Sequence, residues 1–282
     1  MQASRWPRVR RWILLGIIYA MLAAGAVIAL APLVWMALAS FKPNTEVMAY
    51  PPRWITPGLG TLRNYREAWR LVDIPRVYFN SAFTALIQVL TTLLLSAIVA
   101  YGLTRFTFPG RDTVFTLCLL TMMIPSYVIL IPLYIMVRNL HLTNTYLGLI
   151  LPGLMTPFAI FLLRQHFLAV PTDLVDAAYI DGSSDLRILF SLVLPLSKSA
   201  VSTVVVFTAM GAWNSFLWPS IVVNETEMFT IPIAVTRFYS EFSVDWGTVM
   251  AFTTVATVPI LIVYFIFQRQ FVEGMAMSGL KG

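Results

Sequence analysis

Trp12-Ile-Leu-Leu-Gly-Ile-Ile-Tyr-Ala-Met-Leu-Ala-Ala-Gly-Ala-Val-Ile-Ala-Leu-Ala-Pro-Leu-Val-Trp-Met-Ala-Leu38 runs without a charged side chain, directly after Arg5, Arg8, Arg10 and Arg11. At 1.5 Å of rise per residue, about 20 apolar residues cross a hydrocarbon core of about 30 Å. The run is long enough. It is also about twice the length of a signal-peptide core, and more such runs follow, so we read it as an uncleaved first transmembrane helix rather than a leader cut at Ala37-Leu38-Ala39.

Working outward, five further stretches qualify, which makes the fold class an all-α polytopic membrane protein with six transmembrane helices. The expected spans are 12–38, 79–104, 114–137, 146–165, 199–221 and 248–268. Composition agrees: 59% of residues are hydrophobic, 11% are charged and the mean hydropathy is +0.79, beyond what a soluble domain needs. Arginines in the arm 1–11 place that arm in the cytoplasm by the positive-inside rule. Segments then alternate, with 39–78, 138–145 and 222–247 outside, and 105–113, 166–198 and the tail 269–282 inside. Arg105, Arg111, Arg187, Lys198, Arg269 and Lys281 fall inside, whereas the short outer segments hold only Arg138 and Arg237. The long segment 39–78 departs from the rule with Lys42, Arg53, Arg63, Arg66, Arg70 and Arg76. Its turn formers Pro43, Pro51, Pro52, Pro57, Gly58 and Gly60 predict a folded loop, and Asn64 to Trp69 a short helix. Tyr65 and Trp69, four apart, then suit either the lipid headgroup boundary or a partner protein.

Several chemistries are excluded. The net charge of +6 forms no aromatic-interleaved stripe, so a nucleic-acid partner is not expected. Cys118 is the single cysteine, and His141 and His166 fall at opposite membrane faces, so neither a disulfide nor a metal centre is expected, nor any cofactor. No apolar run carries Asp, Glu, Lys or Arg away from its edges, which argues against coupling to protons or ions. A Gly-x-x-x-x-Gly-Lys-Ser/Thr loop is missing as well, so energy for uphill transport has to come from another subunit.

The longest inner segment, 166–198, holds a helix–turn–helix pattern. Thr172 after Pro171 is a candidate N-cap, Asp173 suits the positive end of a helix dipole and Gly182 a left-handed C-terminal position, which predicts a helix over 173–181. Ser183 or Ser184 is expected to cap a second helix running to Pro195. Ala177, Ala178 and Asp181 form a small-residue face flanked by carboxylates, which fits either a docking surface or an ordinary amphipathic hairpin.

Asp176-Ala177-Ala178, then Asp181-Gly182-Ser183, then Val193-x-Pro195 resembles the EAA loop of ABC importer permeases: Glu-Ala-Ala, a glycine four residues on, then Ile-x-Leu-Pro. The resemblance continues through Ser40-Phe41-Lys42-Pro43, Pro51-Pro52-x-Trp54, Asn64-Tyr65, Tyr101-Gly102-Leu103-Thr104-Arg105-Phe106-x-Phe108-Pro109-Gly110-Arg111, Ile131-Pro132-Leu133-Tyr134, Asn144 to Ile150, Trp213 to Pro219 and Gln268 to Gly274. These segments are similar to the maltose-system (MalG-like) carbohydrate permeases. The resemblance implies a non-catalytic, multi-pass subunit of the cytoplasmic (inner) membrane that imports a di- or oligosaccharide. It implies as partners a second permease, two copies of a cytoplasmic ATPase and an extracytoplasmic solute-binding protein. The loop between helices 4 and 5 becomes the ATPase-coupling element, with Asp176, Ala177, Ala178, Asp181, Gly182, Ser183 and Pro195 in the docking role. Asp176 departs from the usual Glu and has a shorter reach.

Trp213, Asn214, Ser215 and Trp218 fall in the outer half of the fifth span, with Ser126 and Tyr127 after Pro125 in the third. Indole faces stack on pyranose rings, and amides and hydroxyls match sugar hydroxyls, so these six are candidate substrate-pathway residues. The competing reading puts Trp218 in the interfacial aromatic belt and Asn214 in a helix–helix hydrogen bond. The same subfamily also serves glycerol phosphate and its diesters, though the spans offer no cation for such an anion. An integral-membrane transferase is the alternative from another class, and it lacks a carboxylate pair, metal cluster or activated nucleophile.

Overall fold

Apolar runs that must satisfy their own backbone hydrogen bonds form helices, and the computed structural model, which describes residues 6–238 and 244–279, is all-helical. Arg5 and Lys281 of the charge distribution, and positions 239–243 of the segment 222–247, lie outside the described residues. Two units divide the chain: residues 1–71 with 237–257, and residues 72–236 with 258–282.

In the first unit, α1 (Trp6–Ala39) starts six residues before the expected span, because Pro7 in the first turn costs no helical hydrogen bond. Its side chains from Trp12 to Val34 are largely exposed, so the helix has an apolar surface that the chain itself does not cover. Beyond it the segment of anomalous charge is folded, and Lys42 proves to be internal: it is wholly buried. Its Nζ donates to the Arg53 carbonyl at 2.6 Å and sits 4.5 Å above the Trp35 ring. Burial lowers its pKa. A cation held inside the fold is no topology signal, which accounts for part of the departure from the positive-inside rule.

The expected short helix is α2 (Arg63–Leu71), with Asn64 and Ala68 on its buried side. Asn64 Nδ2 donates to the Ser40 and Lys42 carbonyls at 2.8 and 2.7 Å, and Tyr65 Oη lies 2.7 Å from Ser40 Oγ. Tyr65 is therefore tied inward while Trp69 stays 60% exposed. Only Trp69 remains available to a lipid or protein surface.

The second unit is built on α3 (Ile74–Arg105), started by Asp73, whose carboxylate accepts from the Arg76 amide at 3.2 Å. The next two apolar runs do not form single straight helices. Run 114–137 is α4 (Arg111–Thr121) and α5 (Ser126–Asn139), bent by 99° where Pro125 can neither continue α4 nor leave its predecessor helical. Run 146–165 is α6 (Tyr146–Ile150) and α7 (Pro157–Leu168), bent by 46°, with Thr156 Oγ1 capping the Ala159 amide at 3.3 Å and Pro157 in the first turn. Next come α8 (Thr172–Ile180), α9 (Asp185–Ile188), α10 (Lys198–Trp213) and α11 (Leu217–Val222). The fifth run is thus interrupted at Asn214–Phe216.

The helix α12 (Trp246–Gly279) begins in the first unit. Its Trp246 amide donates to Asn44 Oδ1 at 3.0 Å. Among the described residues, α1 and α3 are long and apolar enough to cross a membrane straight. The bent pairs qualify only if each crosses as one span, and Trp246–Ile262 is a shorter apolar helix.

The second unit's core joins α3, α7, the 166–198 segment and α10 through Ala97, Ala100, Leu163, Phe167, Val175, Ile188 and Val204, all at most 3% exposed.

Candidate functional site

The segment after α7 forms a helical hairpin. Pro171 rather than Thr172 is the N-terminal boundary residue of α8, and Thr172 is its first helical residue with no side-chain cap. Proline's fixed backbone angle there already starts the helix. The helix ends as expected: Gly182 has φ +75°, its amide donates to the Tyr179 carbonyl at 2.9 Å, and the Ser183 amide reaches the Ala178 carbonyl at 3.0 Å. This paired closure is the Schellman pattern, which a left-handed glycine satisfies without Cβ strain. Ser184 takes the N-terminal boundary position of α9 without a side-chain bond. The second helix reaches Leu196 through a π turn at Leu189–Val193. Pro195 follows that turn; lacking an N–H and crowding the carbonyl four residues back, it favours the widened geometry.

Val175 is 3% exposed and roots α8 in the core. The opposite side of the turn is open: Asp176, Ala177, Asp181 and Gly182 are exposed, Ala178 and Ser183 are partly so, and Ile180 is 87% exposed. Neither Asp176 nor Asp181 has an ion-pair partner among the described residues. The structure brings these six predicted residues together and leaves Pro195 apart, at the far end of the second helix beside the 87° bend at Ser197.

Sequence reasoning missed what holds this knob. Asp185 accepts from the hydroxyls of Tyr179, in a short hydrogen bond, and of Tyr101 at 3.4 Å. That bond to the carboxylate pushes the Tyr179 phenol well above its ordinary pKa, so it stays a donor. The ends of α3 and α7 are clamped reciprocally. Arg105 donates to the Phe167 and Val170 carbonyls at 3.3 and 3.1 Å, while Arg164 donates to the Leu103 carbonyl at 3.4 Å. Each guanidinium thereby places positive charge and donors on carbonyls at or just beyond the other helix's C-terminus. Arg164 also stacks 4.0 Å over Phe115 and lies 3.7 Å from the Asp112 carboxylate. Arg105 and Arg164 fell at the edges of expected spans, and only those edge positions hinted at a role.

Three of the six substrate-pathway candidates, Trp213, Asn214 and Trp218, make contacts within the fold. Trp218 Nε1 donates to the Gly148 carbonyl at 3.0 Å, and Asn214 Nδ2 to the Met210 carbonyl of its own helix at 2.9 Å. The Trp213 ring meets Tyr78 edge-on at 6.3 Å. Asn214 thus bonds within its own helix end rather than across to another helix, and it stays exposed. Ser215 is partly exposed, and Ser126 and Tyr127, the latter 73% exposed, open α5. Ser126 and Tyr127 share no hydrogen bond or ring contact with the tryptophan group among the described residues.

The fold has known counterparts. A solved bacterial ABC transporter involved in import of the acidic polysaccharide alginate contains a chain that superposes with TM-score 0.79 over 95% of this chain and 99% of that one, at 24% identity. Among curated proteins, the arabinooligosaccharides transport system permease protein AraQ of Halalkalibacterium halodurans is 35% identical over 91% of this chain and 93% of its own length. The lactose transport system permease protein LacG of Rhizobium radiobacter is 35% identical over 92% and 94%. The sn-glycerol-3-phosphate transport system permease protein UgpE of Brucella suis is 33% identical over 89% and 92%. Residues 92–277, which include the whole hairpin, match one family, and the chain belongs to it: the binding-protein-dependent transport system inner membrane components.

Proposed function

We propose that this chain is a permease subunit of an ATP-driven importer and carries a di- or oligosaccharide, delivered by a solute-binding protein, across the cytoplasmic membrane. The single observation that carries the reading is the hairpin knob. Ile180, Asp176, Asp181 and Gly182 stand exposed on a helix whose other side is rooted at Val175. A protruding turn with an apolar tip and two carboxylates that have no ion-pair partner among the described residues fits a cleft on a cytoplasmic ATPase, where Ile180 is desolvated and the carboxylates meet cations. Two ATPase copies and a second permease complete the assembly, and closure of the ATPases moves the hairpin so that the bundle alternates between facing out and in. The chain itself is non-catalytic, and ATP is hydrolysed in the partner.

In this reading the chain crosses the membrane six times with both termini in the cytoplasm. The bent pair α4–α5 serves as the third span, α6–α7 as the fourth and α10–α11 as the fifth. A cysteine introduced as Ser184→Cys, in a Cys118→Ala background, is expected to react with an impermeant maleimide only after the cytoplasmic face is opened. Labelling in intact cells contradicts the orientation.

The names of the relatives AraQ and LacG support a sugar cargo, whereas similarity to UgpE supports a second reading, glycerol phosphate. An anion would need its charge met along the path, and the apolar runs hold no arginine or lysine away from their edges. We therefore favour the sugar. With the neighbouring subunits and binding protein co-purified, a di- or oligosaccharide is expected to stimulate ATP hydrolysis and sn-glycerol 3-phosphate to leave it at the basal rate; the reverse result selects the second reading.

A further inference from the structure

One turn of α3 holds both ends of the hairpin. Tyr101 and Arg105 are four residues apart and so project from the same side of the helix. Arg105 grips the entry, at the Phe167 and Val170 carbonyls. Tyr101, 4% exposed, reaches the exit at Asp185, which also receives Tyr179 from α8. Between these tethers Val175 and Ile188 pack in one cluster with Ala97, Ala100 and Tyr101 of α3. The piece most able to yield is the turn Gly182–Ser184 after α8, built on a left-handed glycine. The short Tyr179–Asp185 bond, to a carboxylate, is the stronger of the two and closes the hairpin across that turn, while the Tyr101 hydroxyl at 3.4 Å adds a longer, weaker tether from α3.

We propose that Tyr101, Tyr179 and Asp185 are positioning residues that fasten the hairpin to α3, so that a push on the hairpin tip is delivered to α3 instead of being absorbed by bending at Gly182–Ser184. Asp185 acts by holding α8 against α9 and both against α3. This rests on the hairpin being the ATPase-docking element. The two ideas fail separately, because docking is read by retention of the ATPase and fastening by what the stroke accomplishes.

The experiment uses the full transporter, reconstituted in vesicles with its ATPase, partner permease and binding protein. Wild type, Tyr101→Phe, Asp185→Asn and Asp185→Ala are compared at equal permease abundance. All four are expected to retain the ATPase. Sugar imported per ATP hydrolysed is expected to fall about fivefold or more in Asp185→Ala, the lower end of coupling between distant sites. It falls less in Tyr101→Phe, which keeps the packed ring. Asp185→Asn, whose amide oxygen still accepts from both hydroxyls, recovers much of the ratio. Spin labels at Phe106→Cys and Arg187→Cys, in a Cys118→Ala background, supply the second measurement. Their distance distribution is expected to be narrow and equal in nucleotide-free and ATP-trapped assemblies, and to broaden with Asp185→Ala. An unchanged transport ratio, or an unbroadened distribution, in Asp185→Ala overturns the proposal. Loss of the ATPase from Asp185→Ala also overturns it, since these residues would then serve docking itself, and a wild-type permease that binds no ATPase refutes the docking reading instead.

Discussion

Gly182→Asp is expected to abolish sugar uptake and ATPase retention while leaving membrane insertion intact. Two effects combine at this position. The backbone holds φ +75°, where a residue with a Cβ is strained by about 1 kcal/mol. Within the chain the site is open, and a Cβ added at Gly182 meets nothing within 4 Å. The permease itself therefore tolerates the change at the cost of that strain alone. At the docking face the result differs, because a new carboxylate joins Asp176 and Asp181 on the exposed side of the turn, and any cleft that closes over Gly182 has to take up added bulk and charge. A like charge buried without a partner costs several kcal/mol. Gly182→Ala separates the two contributions: it carries the strain without the charge and should keep a good part of both activities. Asp181→Ala is expected to be milder than Gly182→Asp, since water replaces part of one interfacial charge contact. Co-purification of tagged ATPase at equal permease abundance reads all three. Wild-type retention and sugar-stimulated hydrolysis in Gly182→Asp would remove the hairpin from the coupling role.

The parts of this site legible in the sequence are local ones. Gly182 could be read as left-handed because a helix-forming stretch stops there on the one residue free of Cβ strain, and the small residues Ala177 and Ala178 lie within one turn of it. Thr172 was misjudged by a single position, since Pro171 and Thr172 both carry N-terminal signals and the proline took the boundary. The Tyr101–Asp185 and Arg105–Val170 bonds join residues far apart in the chain, and no local pattern announces them. The bends at Pro125 and before Pro157 escaped for another reason. An apolar window scores hydropathy, and hydropathy continues through Met122-Met123-Ile124 although the helix does not. Trp218 and Asn214 were ambiguous as candidates, because an indole or amide suits a sugar and a backbone carbonyl equally well; in this structure both are spent on carbonyls. In the sequence Lys42 is one charge among several in a loop, and its burial under Trp35 depends on how the whole 39–71 stretch folds.

The energy source gives the other large expected effect. In α3, α5, α7 and α10 the charged side chains lie near the helix ends: Arg76 and Arg105 on α3, Arg138 near the end of α5, Arg164 near the end of α7 and Lys198 at the start of α10. Arg105 and Arg164 are committed to carbonyls at helix ends. A carrier driven by a proton or sodium gradient needs a group that gains and loses the ion within the bilayer, and such a group is kept there despite its cost. The α3 interior offers Gln88, Thr91 and Thr92 instead. Gln88 and Thr92 donate to the Leu149 and Gly153 carbonyls, and Thr91 bonds back to its own helix. None of these titrates. On the proposed reading the work enters from outside the bundle, through the exposed hairpin.

The measurement that bears most directly on this is uptake of labelled sugar into proteoliposomes holding the permease pair, the ATPase and the binding protein. Uptake is expected to require ATP inside and the ATPase subunit, and to persist at its full rate when an uncoupler collapses the proton gradient at constant ATP. Uptake that continues without the ATPase, or that stops with the proton gradient while ATP is held constant, would contradict an ATP-driven permease.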